Sequence, residues 1–318
     1  MAFRVTIEIY SGRPNPSWMV TDPDQVQRFL RLFLRHRAGL AVTPGGFTGV
    51  DFRGMRIDFA SDTAQTLGLP PTVEIAGGGA ADPFASAELA EELLETMPEP
   101  AEQEETGGYG AGVLRDALRQ AIQRSVREGL GGTETIEPGE PPDAELAAEV
   151  EEQLRRIELR MNACPFDTGP FEPNFWNHFA VIGRNNCYNY AVDQRTDSFA
   201  QPGWHHGYRI PPSVTCTDVR TGALRDGLRV WGNCQPAGFE RHFVALATGT
   251  MADGTRDYHW WRRHREGFWG HKPGDSAARN VDYSNNLITN PFSCNRGRYT
   301  EWCGFFQSHN SVIISGPL

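Results

Sequence analysis

The first hundred residues alternate between two hydrophobic periods. Phe3 to Tyr10 places apolar and polar residues in turn, the period of a half-buried strand. Ser11 to Ser17 follows, a turn-rich loop whose two prolines cannot donate to a ladder. From Asp22 to Arg37 the period lengthens to that of a helix, with Val26, Phe29, Leu30, Leu32, Phe33 and Leu34 on one broad face. Asp22 stands as its cap and Pro23 in its first turn, where a missing N–H costs nothing. Phe47 to Phe59 and Thr72 to Ile75 read as further strands. Residues 1–80 are thus expected to form a small α/β domain.

The pattern then loosens. Ser86 to Met97, Val113 to Leu130 and Asp143 to Met161 have helical periodicity. Pro98 to Gly112 and Thr133 to Pro142 separate them as polar breaks. This makes 81–163 an acidic helical region with linkers. From Cys164 aromatics, Asn, His and Gly rise. Val181-Ile182-Gly183 leads into Asn185 to Ala191, a loop entering a helix. His242 to Ala247, Tyr258 to Arg263 and Gly267 to His271 read as strands joined by short turns. The expected class is α+β: a domain over 164–318 with a cysteine-bearing helix packed on an antiparallel meander.

Composition changes this picture in three places. The chain of 318 residues carries a net charge of −10, but Ala85 to Arg155 holds 18 Asp/Glu against 5 Arg, so the remainder is slightly basic. An acidic total without a basic stripe argues against nucleic acid as a partner. No run of about 18 apolar residues suggests a membrane span, and the N-terminus lacks the apolar core of a signal peptide. The default expectation is the cytosol, with signal-independent export as the alternative. All six cysteines lie at or after Cys164. They form no CxxC pair, so no metal or other cofactor is expected. Cys294 and Cys303 read as structural cysteines.

One constellation could carry chemistry. A thiol attacks only as thiolate, which a helix start and a nearby imidazole favour. Cys187 sits at such a start, with Asn185 and Asn186 before it as caps or oxyanion donors. His242, His259 and His271 lie on successive strands as candidate bases. Asp257, Asp282 and Asn285 are available as a third member. The bland alternative for Cys187 is a disulfide, to Cys164 or Cys234, or a packed helix start. His205-His206 reads as a surface loop, and Trp260-Trp261 as aromatic core or a stacking surface.

A cysteine helix followed by an antiparallel meander with a strand-borne histidine resembles the papain-like fold in its NlpC/P60 form. The chain lacks that family's Asp-Cys-Ser-Gly nucleophile box. The strings Asn186-Cys187-Tyr188-Asn189-Tyr190-Ala191, Gln201-Pro202-Gly203, Asp257-Tyr258-His259-Trp260-Trp261-Arg262 and His271-Lys272-Pro273-Gly274 also resemble a group of proteins, some labelled "insoluble matrix shell protein". The papain-like resemblance implies a cysteine peptidase or amidase acting on a peptide or peptidoglycan-like substrate. Cys187 would be nucleophile, His259 or His242 base, His271 and Lys272 site-lining, and Asp257 a supporting group. Trp260 and Trp261 would contact substrate. The competing readings are a non-catalytic binding or structural module and a deamidating or cross-linking effector. Sequence leaves the oligomeric state open.

Overall fold

The computed structural model describes residues 2–41, 52–60, 63–64, 68–76, 80–98, 119, 148, 150, 152, 169–178, 180–232, 235, 240–251 and 254–317. Apart from residues 119, 148, 150 and 152, the helices expected at 113–130 and 143–161 lie outside them, as do Cys164 and Cys234. The chain divides into two compact units. One comprises Met1–Tyr10, Asn15–Thr135 and Met251–Thr255; the other comprises Ser11–Pro14, Ile136–Thr250 and Arg256–Leu318.

The first unit is a four-stranded antiparallel sheet of β1 (Phe3–Glu8), β2 (Ser17–Val20), β3 (Gly54–Phe59) and β4 (Thr72–Ile75), in the order β2-β1-β3-β4. Helix α1 (Pro23–Arg35) is capped as its sequence signals, Asp22 accepting from the Gln25 N–H. It buries Val26, Phe29, Leu30 and Phe33. Phe29 and Phe33 meet Phe3 edge-on, and Phe33 does the same with Phe59. Leu34 is left partly exposed, so the buried face is narrower than expected. Helix α2 (Pro83–Leu94) starts three residues earlier than its periodicity suggests, because Asp82 caps it and Pro83 fills its first turn.

The second unit holds a five-stranded sheet of order β5-β9-β6-β7-β8. The strands are β5 (Arg229–Val230), β6 (Arg241–Thr250), β7 (Arg256–Arg263), β8 (Trp269–His271) and β9 (Glu301–His309). The expected meander is β6-β7-β8. Strand β9, which the sequence pattern does not announce, returns to pair with the far side of β6. Helices described here include α3 (Pro173–Asn177), α4 (Cys187–Ala191) and α5 (Cys216–Arg225). The two sheet faces differ. Val244, Leu246, Tyr258, Trp260 and Phe306 pack with Cys187, Tyr188 and Ala191 of α4, and with Val219 and Ala223 of α5. Strand alternation sends their neighbours to the other face. There Phe243 meets Trp231, Trp269 and Phe305, while His259 meets Trp261, His271 and Tyr299.

Candidate functional site

Helix α4 is a single turn, and its side chains are committed to the fold. Asn186 caps it, its carbonyl accepting from the Tyr188 and Asn189 N–H groups at 3.0 and 3.1 Å. The Asn186 amide donates to Gly12 O at 3.0 Å and Ala200 O at 2.7 Å. Asn189 closes the capping box by accepting from Asn186 N. Asn185 donates to Val181 O and the Asp197 carboxylate, and accepts from Asp197 N. The side-chain amides of both Asn185 and Asn186 are thus engaged within the fold. Tyr188 donates to the buried Asp226 carboxylate at 2.8 Å, and Tyr190 pairs with His264 at 2.7 Å.

Cys187 is unpaired and fully buried. Its thiol points at Tyr258 O, 3.9 Å away. Burial pushes its pKa well above the usual thiol range, and the Asp257 carboxylate pushes it further up. The thiol is therefore held protonated, which removes its nucleophilic form.

The strand histidines are not brought to it. His259 lies one residue from Tyr258 and Trp260, so it emerges on the opposite sheet face. Its Nε2 is 2.7 Å from Nδ1 of His271, and Nε2 of His271 is 2.9 Å from Val281 O. Burial, and then Arg279, lowers the His271 pKa to about 3. The two rings form a buried pair in which His271 is neutral. His242 does share the face of Val244 and Leu246. However, Tyr258 is paired with Thr248, six residues along β6 from His242. At about 3.3 Å per residue this puts His242 roughly 20 Å along the strand from the carbonyl that Cys187 touches. The Cys187–His259 dyad expected from sequence is thus separated by the sheet, and a Cys187–His242 dyad by the length of a strand.

The remaining candidates are placed as follows. Trp260 is buried against Tyr188 and Phe306, and Trp261 against His259. Lys272 is fully buried, donating to Ile182 O, Asn185 O and Gly274 O at 2.5, 2.5 and 2.6 Å. It clamps the turn entering α4, so the His-Lys-Pro-Gly and Asn-Cys-Tyr-Asn strings interlock. Asp282 anchors a loop through the N–H groups of Ser284, Asn286 and Asn295. Asn285 adopts a positive φ of 60° within it. Cys303 pairs with Cys216, not with Cys294, which is unpaired. His205 and His206 are exposed, as expected of a surface loop.

One part of the expected site does converge, on a different target. Asp257, at the start of β7, accepts from three successive N–H groups: Ser11 at 2.7 Å, Gly12 at 3.2 Å and Arg13 at 3.1 Å. Tyr299 OH donates to the same carboxylate at 2.8 Å. Burial raises the Asp257 pKa, opposed by the Ser11 N–H and Tyr299. The Gly12 carbonyl receives Asn186 at 3.0 Å, Gln201 Nε2 at 2.6 Å and Tyr258 OH at 2.9 Å. Sequence reading missed Gln201, Tyr258 and Tyr299 in this role. Gly12, a glycine in a loop hemmed by prolines, was the available signal. Among the described residues no group of three or more His, Cys, Asp or Glu is placed to hold a metal, and no helix is long and apolar enough to cross a membrane.

The fold and site define an α+β protein with antiparallel sheets, its sequence-distinctive residues buried in polar networks. Over 135 residues the chain is 38% identical to Insoluble matrix shell protein 1 of Ruditapes philippinarum, a match taking in 42% of this chain and 86% of that protein. The chain belongs to that protein's family. No family model matches it, and no solved structure matches it.

Proposed function

We propose that the chain is a non-catalytic binding or structural module. The observation that carries this reading is the state of Cys187, a buried and protonated thiol without a histidine in reach. A papain-like cysteine hydrolase, or a deamidating effector using the same chemistry, needs a thiolate beside an imidazole. A helix bearing Cys187 packs on an antiparallel sheet, but the thiol lies against the Tyr258 carbonyl and not an imidazole, which supports the non-catalytic reading. The name of the related protein, which describes an insoluble matrix of shell, supports a structural role. The Cys216–Cys303 disulfide supports a site of action outside the reducing cytosol.

Thiol reactivity tests the proposal. In the folded protein Cys187 resists iodoacetamide at neutral pH and reacts only after denaturant is added, as peptide mapping would record. Cys187→Ser leaves the protein's binding properties unchanged. Rapid alkylation of Cys187 in the native state, with an amide-cleaving activity lost in Cys187→Ser, would overturn the reading.

A further inference from the structure

We propose that Asp257, Asn186, Gln201, Tyr258 and Tyr299 form a recognition site for a glycine-centred peptide main chain of the Ser-Gly-Arg type. The chain's own Ser11–Arg13 is its resident occupant. The inference rests on the non-catalytic reading above and specifies what such a module binds.

The contacts read backbone. A carboxylate bonded to three successive N–H groups is the converse of a backbone nest holding an anion. The Gly12 carbonyl, with two lone pairs, meets donors from three separate places: the α4 cap, the turn at Gln201 and strand β7. Glycine is required at the centre. A Cβ on Gly12 would stand 2.5 Å from the Tyr258 ring. One side chain of the occupant is recognised as well, the Arg13 guanidinium donating to Arg256 O at 2.9 Å.

Asp257 has Tyr299 as a partner besides the occupant, and Asn186 and Gln201 are held by further partners outside it. Asn186 is held by Tyr188 N, Asn189 N and Ala200 O. Gln201 Nε2 also donates to Phe199 O at 3.1 Å and Ala200 O at 3.2 Å, and its Oε1 faces Tyr258 OH at 3.0 Å. Tyr299 OH donates to Asp257 and its ring stacks on His259. The site is thus organised before a peptide enters, which lowers the ordering cost of binding.

In the wild-type chain the tethered segment competes at an effective concentration of about millimolar, so added peptide is largely excluded. Displacing the segment opens the site. The test uses the full chain carrying Gly12→Val, with Gly12→Ala as a milder second variant, each checked for folding by circular dichroism. The probe is a fluorescent Tyr-Ser-Gly-Arg-Pro-Asn peptide, compared with the same peptide carrying valine for glycine. The folded variant is expected to bind the glycine peptide about tenfold or more tighter than wild type does, and about tenfold tighter than the valine peptide. Adding Tyr258→Phe weakens that binding. A folded variant that binds neither peptide, or both equally, overturns the proposal. Should both variants fail to fold, wild type decides by amide exchange. About 10 mM glycine peptide, above the tethered concentration, must speed exchange at Ser11–Arg13 while the valine peptide does not; no difference overturns the proposal. None of these measurements reads Cys187, so failure here leaves the non-catalytic reading to its own test.

Discussion

Lys272 is the chain's single lysine, and its buried ammonium ends among three carbonyls. Removing it leaves the carbonyls of Ile182, Asn185 and Gly274 without that donor in a buried place. Lys272→Met is therefore expected to destabilise the protein by about 3 kcal/mol, read as a shifted midpoint in urea unfolding. A lysine that lined a solvated site would give a loss nearer zero. His271 allows a second check at this scale. Its folded pKa of about 3 lies below the unfolded value near 6.5. A group depressed in this way contributes stability that is present above pH 6.5 and lost as pH falls through about 3. Imidazole nitrogen shifts of His271 should stay those of a neutral ring from pH 8 to pH 4. Titration near pH 6.5 would contradict the buried pairing with His259.

Elements divide into those the sequence announces and those it conceals. Helix α1 is announced by its cap, its proline and its period. Strands β6 and β7 are announced by their aromatic and β-branched runs. Helix α5 is announced only by the capping box of Thr215 and Asp218. Strand β9 is concealed because Gly304 and polar residues interrupt its alternation. The site was legible in composition and not in geometry. Sequence shows that His259 alternates with Tyr258 and Trp260, but not which set faces the cysteine helix. That parity separates a dyad from a sheet with one group on each side. Burial of Cys187 is likewise a property of the packed helix and sheet together. The disulfide carries a prediction at this scale, since Cys216 opens α5 and Cys303 lies in β9, 87 residues apart. In the chain-entropy account a loop of that size is worth about 4.6 kcal/mol. The double variant Cys216→Ser/Cys303→Ser should lose stability of that order in chemical denaturation, whereas Cys294→Ser should lose far less.

At the scale of the whole chain, the two units respond to different conditions. The first unit contains Glu8 and Glu74, both buried, with Arg56 3.4 Å from Glu8. Desolvation, and then the charge of Glu8, raises the Glu74 pKa to about 8, while Arg56 partly offsets the shift. The folded unit therefore prefers Glu74 protonated. Between its unfolded pKa near 4.5 and its folded pKa near 8 the native state binds more protons than the unfolded state, so stability falls as pH rises. The contribution is complete below pH 4.5 and gone above pH 8. Glu74→Gln, which is neutral at every pH, should remove that slope and leave the variant more stable than wild type at pH 8.5. The disulfide belongs to the second unit, so a reductant acts there. Hydrogen exchange by mass spectrometry separates the two effects. Raising pH from 5 to 8.5, with rates corrected for intrinsic exchange, should loosen peptides spanning β1, β3 and β4. Reductant at pH 6 should loosen those spanning α5 and β9. If Glu74→Gln leaves the pH response of β3 and β4 unchanged, the raised carboxyl is not its source, and the charge of Glu8 must be the next group replaced.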